Sequence, residues 1–155
     1  MRQVQRTVGP VSIAYEMQGS GPLVMFLHGI GGNRTNWYEQ LDQFGDRFCA
    51  VTWDARGYGA SDDSPQTLKF SDYADDLNRL LDHLKIEKAH LVGYSSGSFV
   101  AGKVAATYPH RVLSVVFGGQ APIIGEVKDS DFSEVDLFAK LVEEGKDLGA
   151  YILAV

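Results

Sequence analysis

The sequence contains a single cysteine, Cys49, in a chain of 155 residues. One cysteine cannot form a disulfide within the chain, so no covalent cross-link contributes to the fold. Cys49 lies in an apolar run between Phe48 and Val51, where a free thiol behaves as a small hydrophobic side chain. The histidines also lack the spacing of metal ligands, so we expect no metal and no other cofactor.

Positive charge is scarce as well. The chain has 14 Lys and Arg against 20 Asp and Glu, a formal net charge of -6. No basic face is visible that could follow a phosphate backbone, and this argues against nucleic acid as a partner. No apolar run has the length that spans a membrane, and the N-terminus lacks the apolar core of a signal peptide. We expect a soluble, cytoplasmic protein.

Short apolar segments alternate with helix-type patterns along the chain. With 45% hydrophobic residues, a chain of this length can form one domain with a buried core. The spacing of Tyr73, Leu77 and Leu80 predicts an amphipathic helix, with Ser71 as its N-cap. The predicted strands are residues 3–8, 11–17, 22–28, 49–54, 89–94 and 112–117, and the predicted helices are residues 36–44, 71–85 and 96–108.

The order of these elements predicts the fold class. Two strands that read as an antiparallel pair precede a series of strand–helix units. Such an order predicts an α/β protein, a three-layer α/β/α sandwich around a mostly parallel sheet. After Gly119 the pattern changes: residues 131–144 predict an amphipathic helix, and residues 148–155 begin another apolar segment. That segment has no cap or stop signal, so we expect the chain to be cut inside an element.

A Gly-x-Ser-x-Gly pattern, residues 93–97, stands where an apolar strand is predicted to pass into a helix. A sharp turn at this place exposes the Ser95 hydroxyl above the edge of the sheet, and the flanking glycines relieve the crowding. The N-terminus of the following helix favours negative charge beside it. A glycine-rich turn with an incidental serine is the alternative. The strand–turn–helix context favours a nucleophile.

A second glycine-rich turn, HGIGG at residues 28–32, follows another predicted buried strand. Such a loop can direct a backbone N–H towards the same point as the N–H of Ser96. We assign the two donors of an oxyanion hole to Ile30 and Ser96. Alone, this loop would be a plain turn, and its place ahead of the Ser95 motif favours the functional interpretation.

Four segments together resemble the α/β-hydrolase fold family: LHGIGG (residues 27–32), WDARGYGASD (53–62), HLVGYSSGS (90–98) and TYPHRV (107–112). The resemblance implies a serine hydrolase acting on a small ester, lactone or related carbonyl substrate. It implies Ser95 as the nucleophile and a substrate bound beside Gly29, Gly31 and Tyr94. Family members with Asp at this turn, such as haloalkane dehalogenases and epoxide hydrolases, are disfavoured because Ser95 stands there.

The resemblance also implies a division of the chain into a hydrolase core at residues 1–119 and the start of a helical cap at residues 120–155. Asp54 and Arg56 follow a predicted strand, where catalytic groups occur. In the family the triad acid lies later in the chain, so we interpret these two residues as ones that hold loops together.

A base for Ser95 is missing from the sequence. The family's order is Ser, then Asp or Glu, then His, and no histidine follows the strand at residues 112–117. His90 and His110 stand at strand starts, at the opposite end of the sheet from Ser95. His28 ends a strand on the correct side, and the resemblance gives it a role in supporting the oxyanion loop.

The acidic residues after Ser95 all fall in the expected cap, so no triad acid is assigned either. Loss of a triad member typically costs on the order of 10⁴–10⁶ in rate. We therefore expect this chain to be nearly inert even if its parent is an enzyme. We also expect the strand at residues 112–117 to form an exposed apolar edge, through which the chain self-associates.

Two other classes of function can be compared with a hydrolase. A non-catalytic ligand-binding module on the same scaffold would account for the missing base, and it differs from a hydrolase in that Ser95 would not be covalently modified. The stretch from Gly97 to Val104 nearly matches the phosphate-binding G-x-x-x-x-G-K-[ST] loop. Val104 has no hydroxyl for Mg²⁺, and the stretch is apolar and helix-like, so we expect no nucleotide site.

Overall fold

The computed structural model describes residues 2–64 and 67–118, and the backbone of residues 152–154. Within these residues the α-helices are α1 (Tyr38–Phe44), α2 (Phe70–His83) and α3 (Ser96–Thr107), and short 3-10 helices cover Arg34–Trp37 and Pro109–Arg111. The strands, in chain order, are β1 (Gln5–Arg6), β2 (Ala14–Gln18), β3 (Leu23–Leu27), β4 (Cys49–Trp53), β5 (Ala89–Tyr94), β6 (Val112–Gly118) and β7 (Ile152–Ala154).

All of these strands belong to one sheet, in the order β1-β2-β4-β3-β5-β6-β7. β2 is antiparallel to both β1 and β4. The pairs β3/β4, β3/β5, β5/β6 and β6/β7 are parallel. Parallel neighbours need crossover connections, which helices usually supply. The mostly parallel sheet predicted from the sequence is confirmed.

Side chains of β3 pack on both faces of this sheet. Met25 packs in the larger core cluster, which includes Leu77 of α2 and Val104 of α3. Its neighbour Phe26 packs in a second cluster with Leu41 of α1. Adjacent residues of a strand point to opposite faces, so helices cover both faces of the sheet. This is the α/β/α arrangement that the sequence predicted.

The start of α2 differs from the prediction. The helix begins at Phe70, and its N-cap residue is Lys69. The Oδ2 atom of Asp72 accepts a hydrogen bond of 2.8 Å from the backbone N–H of Lys69. Ser71 therefore lies inside the first turn, because the Asp72 carboxylate, and not the serine hydroxyl, satisfies a backbone donor at this end.

β6 is not the outermost strand of the described sheet, which corrects the expectation for residues 112–117. β7 pairs with it in parallel at residues 115–117. Residues 152–154 thus extend the sheet, whereas the sequence analysis placed them in a helical cap. The helix expected at residues 131–144 lies outside the described residues. The division of the chain into core and cap, and its self-association, stay predictions.

The loops at the carboxyl ends of the parallel strands meet at one edge of the sheet. β3 is followed by residues 28–33, β4 by residues 54–62 and β5 by Ser95. Ligands of open parallel sheets bind at this edge. None of the described helices combines the length and hydropathy needed to cross a lipid bilayer.

Candidate active site

Ser95 occupies a sharp turn between β5 and α3. Its backbone angles are φ 53° and ψ -121°, a conformation that costs a residue with a side chain about 1–3 kcal/mol. Two backbone hydrogen bonds hold it: Ser95 N–H donates to the Gly118 carbonyl at 3.0 Å, and Ser98 N–H donates to the Ser95 carbonyl at 2.9 Å. Strain that the surrounding structure maintains in this way is typical of functional turns.

Two glycines make room for this turn. A Cβ atom on Gly93 would overlap the carbonyl of Gly97. A Cβ atom on Gly97 would lie 2.8 Å from the carbonyl oxygen of His28, and closer still to that of Leu27. The first turn of α3 therefore lies against the ends of β3 and β5 at a distance that excludes a side chain at either glycine.

The N-terminus of α3 supplies backbone donors beside Ser95. The helix is 12 residues long, and the first N–H groups of an α-helix have no partner within the helix. Within the described residues, neither Ser96 N–H nor Ile30 N–H donates a hydrogen bond to another backbone group. Free N–H groups and the helix dipole both favour negative charge at this place.

The loop after β3 lies against the serine turn. A Cβ atom on Gly29 would lie 3.0 Å from the Cβ atom of Ser95 and 3.5 Å from its Oγ atom. Gly32 N–H donates to the Gly29 carbonyl at 3.0 Å and closes a tight turn. Gly31 in this turn has a φ of 75°, which favours glycine. The side chain of Ile30 is 81% exposed at the tip of the loop.

His28 is buried, and both of its ring nitrogens are engaged. Nδ1 lies 2.8 Å from the Gly29 carbonyl oxygen, so it carries the proton and donates it. Nε2 accepts a hydrogen bond of 3.0 Å from the backbone N–H of Ala55. Burial lowers the pKa of His28 below its ordinary value, although the hydrogen bond to Gly29 and the charge of Asp54 act in the opposite direction. His28 is therefore neutral, with no free lone pair for a proton from Ser95.

The pH dependence of stability tests this state of His28. Because its pKa is lowered in the folded state, the unfolded chain takes up the proton first as pH falls below about 6.5. We expect the free energy of unfolding to fall between pH 7 and pH 5. His28→Asn should flatten that slope by up to about 1.4 kcal/mol per pH unit. Urea titrations across this range measure it, and equal slopes for the two proteins would contradict the assignment.

Two cavities flank the loop that carries Ile30. The larger has a volume of about 390 Å³, and Asn36, Trp37 and Gln40 contribute to its wall. The smaller, of about 150 Å³, has a wall of mainly aromatic and apolar side chains. All six residues predicted to act or bind line these cavities: Ser95, Gly31 and Tyr94 the larger, Ser96 the smaller, and Gly29 and Ile30 both.

The sequence did not predict the aromatic wall of the smaller cavity. Trp53 ends β4, and Phe70 and Tyr73 lie in the first turn of α2. Tyr58 packs edge-on against His28, with 5.0 Å between ring centroids. Trp53 could have indicated it, because it is a large aromatic residue at the carboxyl end of a predicted strand. The other three aromatic residues reach the cavity only through the packing of α2 and of the loop after β4.

Asp54 and Arg56 hold loops together, as the sequence predicted. The fully buried Asp54 carboxylate accepts a hydrogen bond of 2.7 Å from the backbone N–H of Ala60. Arg56 donates two hydrogen bonds, of 2.9 and 2.5 Å, to the buried carboxylate of Asp76 on α2. Neither Asp54 nor Arg56 lines the two cavities beside Ser95.

No base contacts Ser95 in the part of the chain that the structure describes. His90 instead pairs with the Ser114 hydroxyl at 2.7 Å, near the amino ends of β5 and β6. Asp54 already accepts a hydrogen bond at each of its carboxylate oxygens. Residues 2–64, 67–118 and 152–154 also contain no group of three or more His, Cys, Asp or Glu that could hold a metal ion.

Comparison with known proteins identifies the family of the fold. The profile of the family described as "alpha/beta hydrolase fold" matches residues 22–145. The chain is 35% identical over 146 residues to a 2-(acetamidomethylene)succinate hydrolase of Mesorhizobium japonicum, covering 94% of this chain and 52% of the relative. It is 31% identical over 111 residues to the 3-oxoadipate enol-lactonase 2 of Acinetobacter baylyi, covering 72% of this chain and 42% of the relative.

A solved structure shares the fold. Est816, described as an N-acyl homoserine lactone degrading enzyme, superposes with a TM-score of 0.71 at 28% identity, over 90% of this chain and 56% of that one. The chain thus spans about half the length of the two curated relatives named above.

Proposed function

The chain belongs to the α/β-hydrolase fold family, and on this premise we propose that it carries the serine half of a hydrolase site. Ser95 attacks the carbonyl carbon of the substrate, and the N–H groups of Ile30 and Ser96 stabilise the negative charge on the carbonyl oxygen. The alcohol or equivalent group leaves, and water then releases the acyl group from Ser95. The protons of these steps need a base from outside the described residues.

The observation that carries this proposal is the strained turn at Ser95. Its φ of 53° places a residue with a side chain where glycine is favoured. An incidental serine would gain nothing from that conformation, and glycine at this position would relieve it. A nucleophile gains exposure of its hydroxyl beside free N–H groups at the start of a helix.

The two cavities support a small carbonyl compound as the substrate. An apolar cavity of about 150 Å³ matches in size a cavity that holds a single benzene ring. We assign the apolar acyl part of the substrate to it, and the more polar leaving group to the larger cavity with Asn36 and Gln40. The two curated relatives named above are hydrolases, one of them of a lactone, which supports an ester or lactone.

Labelling with a fluorophosphonate tests the proposal. The chain and its Ser95→Ala variant are incubated with the reagent, and the intact mass is followed over time. A serine hydrolase site predicts one adduct, on Ser95, that the variant does not form. With no base on Ser95 in the described residues, we expect labelling at least about 10³-fold slower than with a complete triad. Equal labelling of several serines would contradict the proposal.

The same experiment distinguishes the second candidate, a non-catalytic ligand-binding module on this scaffold. The absence of a base in the described residues favours that candidate, and it predicts no adduct on Ser95 at any time. A binding module does not require the strained backbone conformation of Ser95, so we favour the hydrolase. A cytoplasmic location and near-inertness of this chain by itself remain predictions of the same proposal.

A further inference from the structure

The loop at residues 29–33, which carries Ile30, is flanked at each end by a side chain that bonds to the residues following β4. His28 stands before it and Arg34 after it. His28 bonds to the Ala55 backbone, as described above. Among the described backbone hydrogen bonds, one joins two residues of this loop, from Gly32 N–H to the Gly29 carbonyl, and one leads out of it, from Asn36 N–H to the Asn33 carbonyl. The orientation of the loop therefore depends on how its two ends are fixed.

Arg34 is fixed through its backbone and its side chain together. Its backbone N–H donates to Asp54 Oδ1 at 2.7 Å, and its Nη1 atom donates to Asp54 Oδ2 at 2.6 Å. Its Nε atom donates to Glu16 Oε1 at 2.8 Å. Its carbonyl accepts a hydrogen bond of 2.9 Å from the Thr52 hydroxyl. One residue after the loop is thus attached to β2, to β4 and to the residue that follows β4.

The charges around Arg34 make this attachment difficult to replace. The side chains of Glu16 and Asp54 are 3% and 0% exposed, and that of Arg34 is 16% exposed. Two buried carboxylates with one guanidinium between them are compensated only while the guanidinium reaches both. Its planar fork and Nε donor do this at the same time, which a lysine ammonium at the end of a flexible stem does not.

We propose that Arg34 is the positioning residue of the site: through Asp54 and Glu16 it sets the orientation of the loop at residues 29–33, and with it the direction of the Ile30 N–H. Both ends of the loop are then hydrogen-bonded to neighbouring residues: Arg34 to Asp54, and His28 to Ala55. The position of the loop is therefore set at both ends by the two residues that follow β4.

The inference rests on the proposed function only for the role of the Ile30 N–H as an oxyanion donor. The orientation of the loop is tested without any reaction. Native-state amide hydrogen exchange reports on the loop through Gly32, whose N–H is bonded to Gly29 within it. Leu91, fully buried in β5, reports on unfolding of the whole sheet. In Arg34→Lys we expect exchange at Gly32 to accelerate at least about tenfold more than exchange at Leu91.

Arg56→Lys is the matched control. Arg56 also donates two hydrogen bonds to a fully buried aspartate, Asp76, and both bonds lead to α2 and not to residues 29–33. Arg56→Lys should accelerate exchange at Leu91, and exchange at Gly32 should accelerate no more than exchange at Leu91. Equal acceleration of Gly32 and Leu91 in Arg34→Lys, or acceleration of Gly32 by Arg56→Lys to the same extent, would overturn the proposal.

A second variant covers the case in which Arg34→Lys does not fold. Glu16→Gln keeps an oxygen that can accept from Arg34 Nε but removes one of the two charges that hold the guanidinium. We expect a smaller acceleration at Gly32 that still exceeds the change at Leu91, and an unchanged Gly32 would overturn the proposal. Failure of Ser95 to react with a fluorophosphonate would leave all of these results unaffected, so the two proposals fail separately.

Discussion

Gly97→Ala should destabilise the protein by at least about 3 kcal/mol, while Gly102→Ala in the same helix should stabilise it by about 0.5–1 kcal/mol. The backbone of Gly97 does not have a positive φ, so alanine is conformationally allowed there. The penalty comes from packing alone, because the new Cβ atom would lie 2.8 Å from the carbonyl oxygen of His28. Carbonyl groups at the end of a central strand cannot move aside.

Gly102 provides the comparison within the same helix. A Cβ atom there would lie 3.7 Å from the ring of Phe117, an ordinary contact distance. The change to alanine then removes only the entropic cost of a glycine inside a helix. Urea-induced unfolding of the two variants and the parent measures both effects. If both variants were stabilised, α3 could not lie against the end of β3 as the structure has it.

Ser95→Cys should produce a thiol with a pKa at least one unit below the ordinary value of about 8.5. The thiolate would lie at the N-terminus of α3, where the helix dipole and the first N–H groups of the helix favour negative charge. The measurement is independent of any base, because a thiol ionises by itself near neutral pH. It therefore isolates the electrostatic part of the proposed site.

Thr107→Cys, at the last residue of α3, is the matched control. It lies at the opposite end of the same dipole, where a thiolate is disfavoured. At pH 7 we expect iodoacetamide to alkylate the Ser95→Cys variant at least about fivefold faster than the Thr107→Cys variant. Cys49 does not interfere, because it is buried and burial raises the pKa of its thiol. Equal pKa values at the two ends would mean that the N-terminus of α3 does not favour negative charge at residue 95.

Predictions from the sequence succeeded where the signal is local. The run LVMFL of β3 is apolar throughout, which predicted a strand buried on both faces, and all of its residues are buried. The alternation of such runs with helical patterns predicted the parallel sheet and its order along the chain. The predicted N-cap of α2, Ser71, was wrong. Both Ser71 and Asp72 can accept a hydrogen bond from a backbone N–H at this helix end, and sequence preference alone does not decide between them.

The sequence by itself determined the family, the strand–helix order and the turn at Ser95, because each of these depends on neighbouring residues or on a fixed spacing. Only the tertiary structure decided the hydrogen bond between Ala55 and His28, the attachment of Arg34 to Glu16 and Asp54, and the pairing of β7 with β6. These contacts join residues that are far apart along the chain. Neither periodicity nor local preference carries information about which distant atoms come within hydrogen-bond distance.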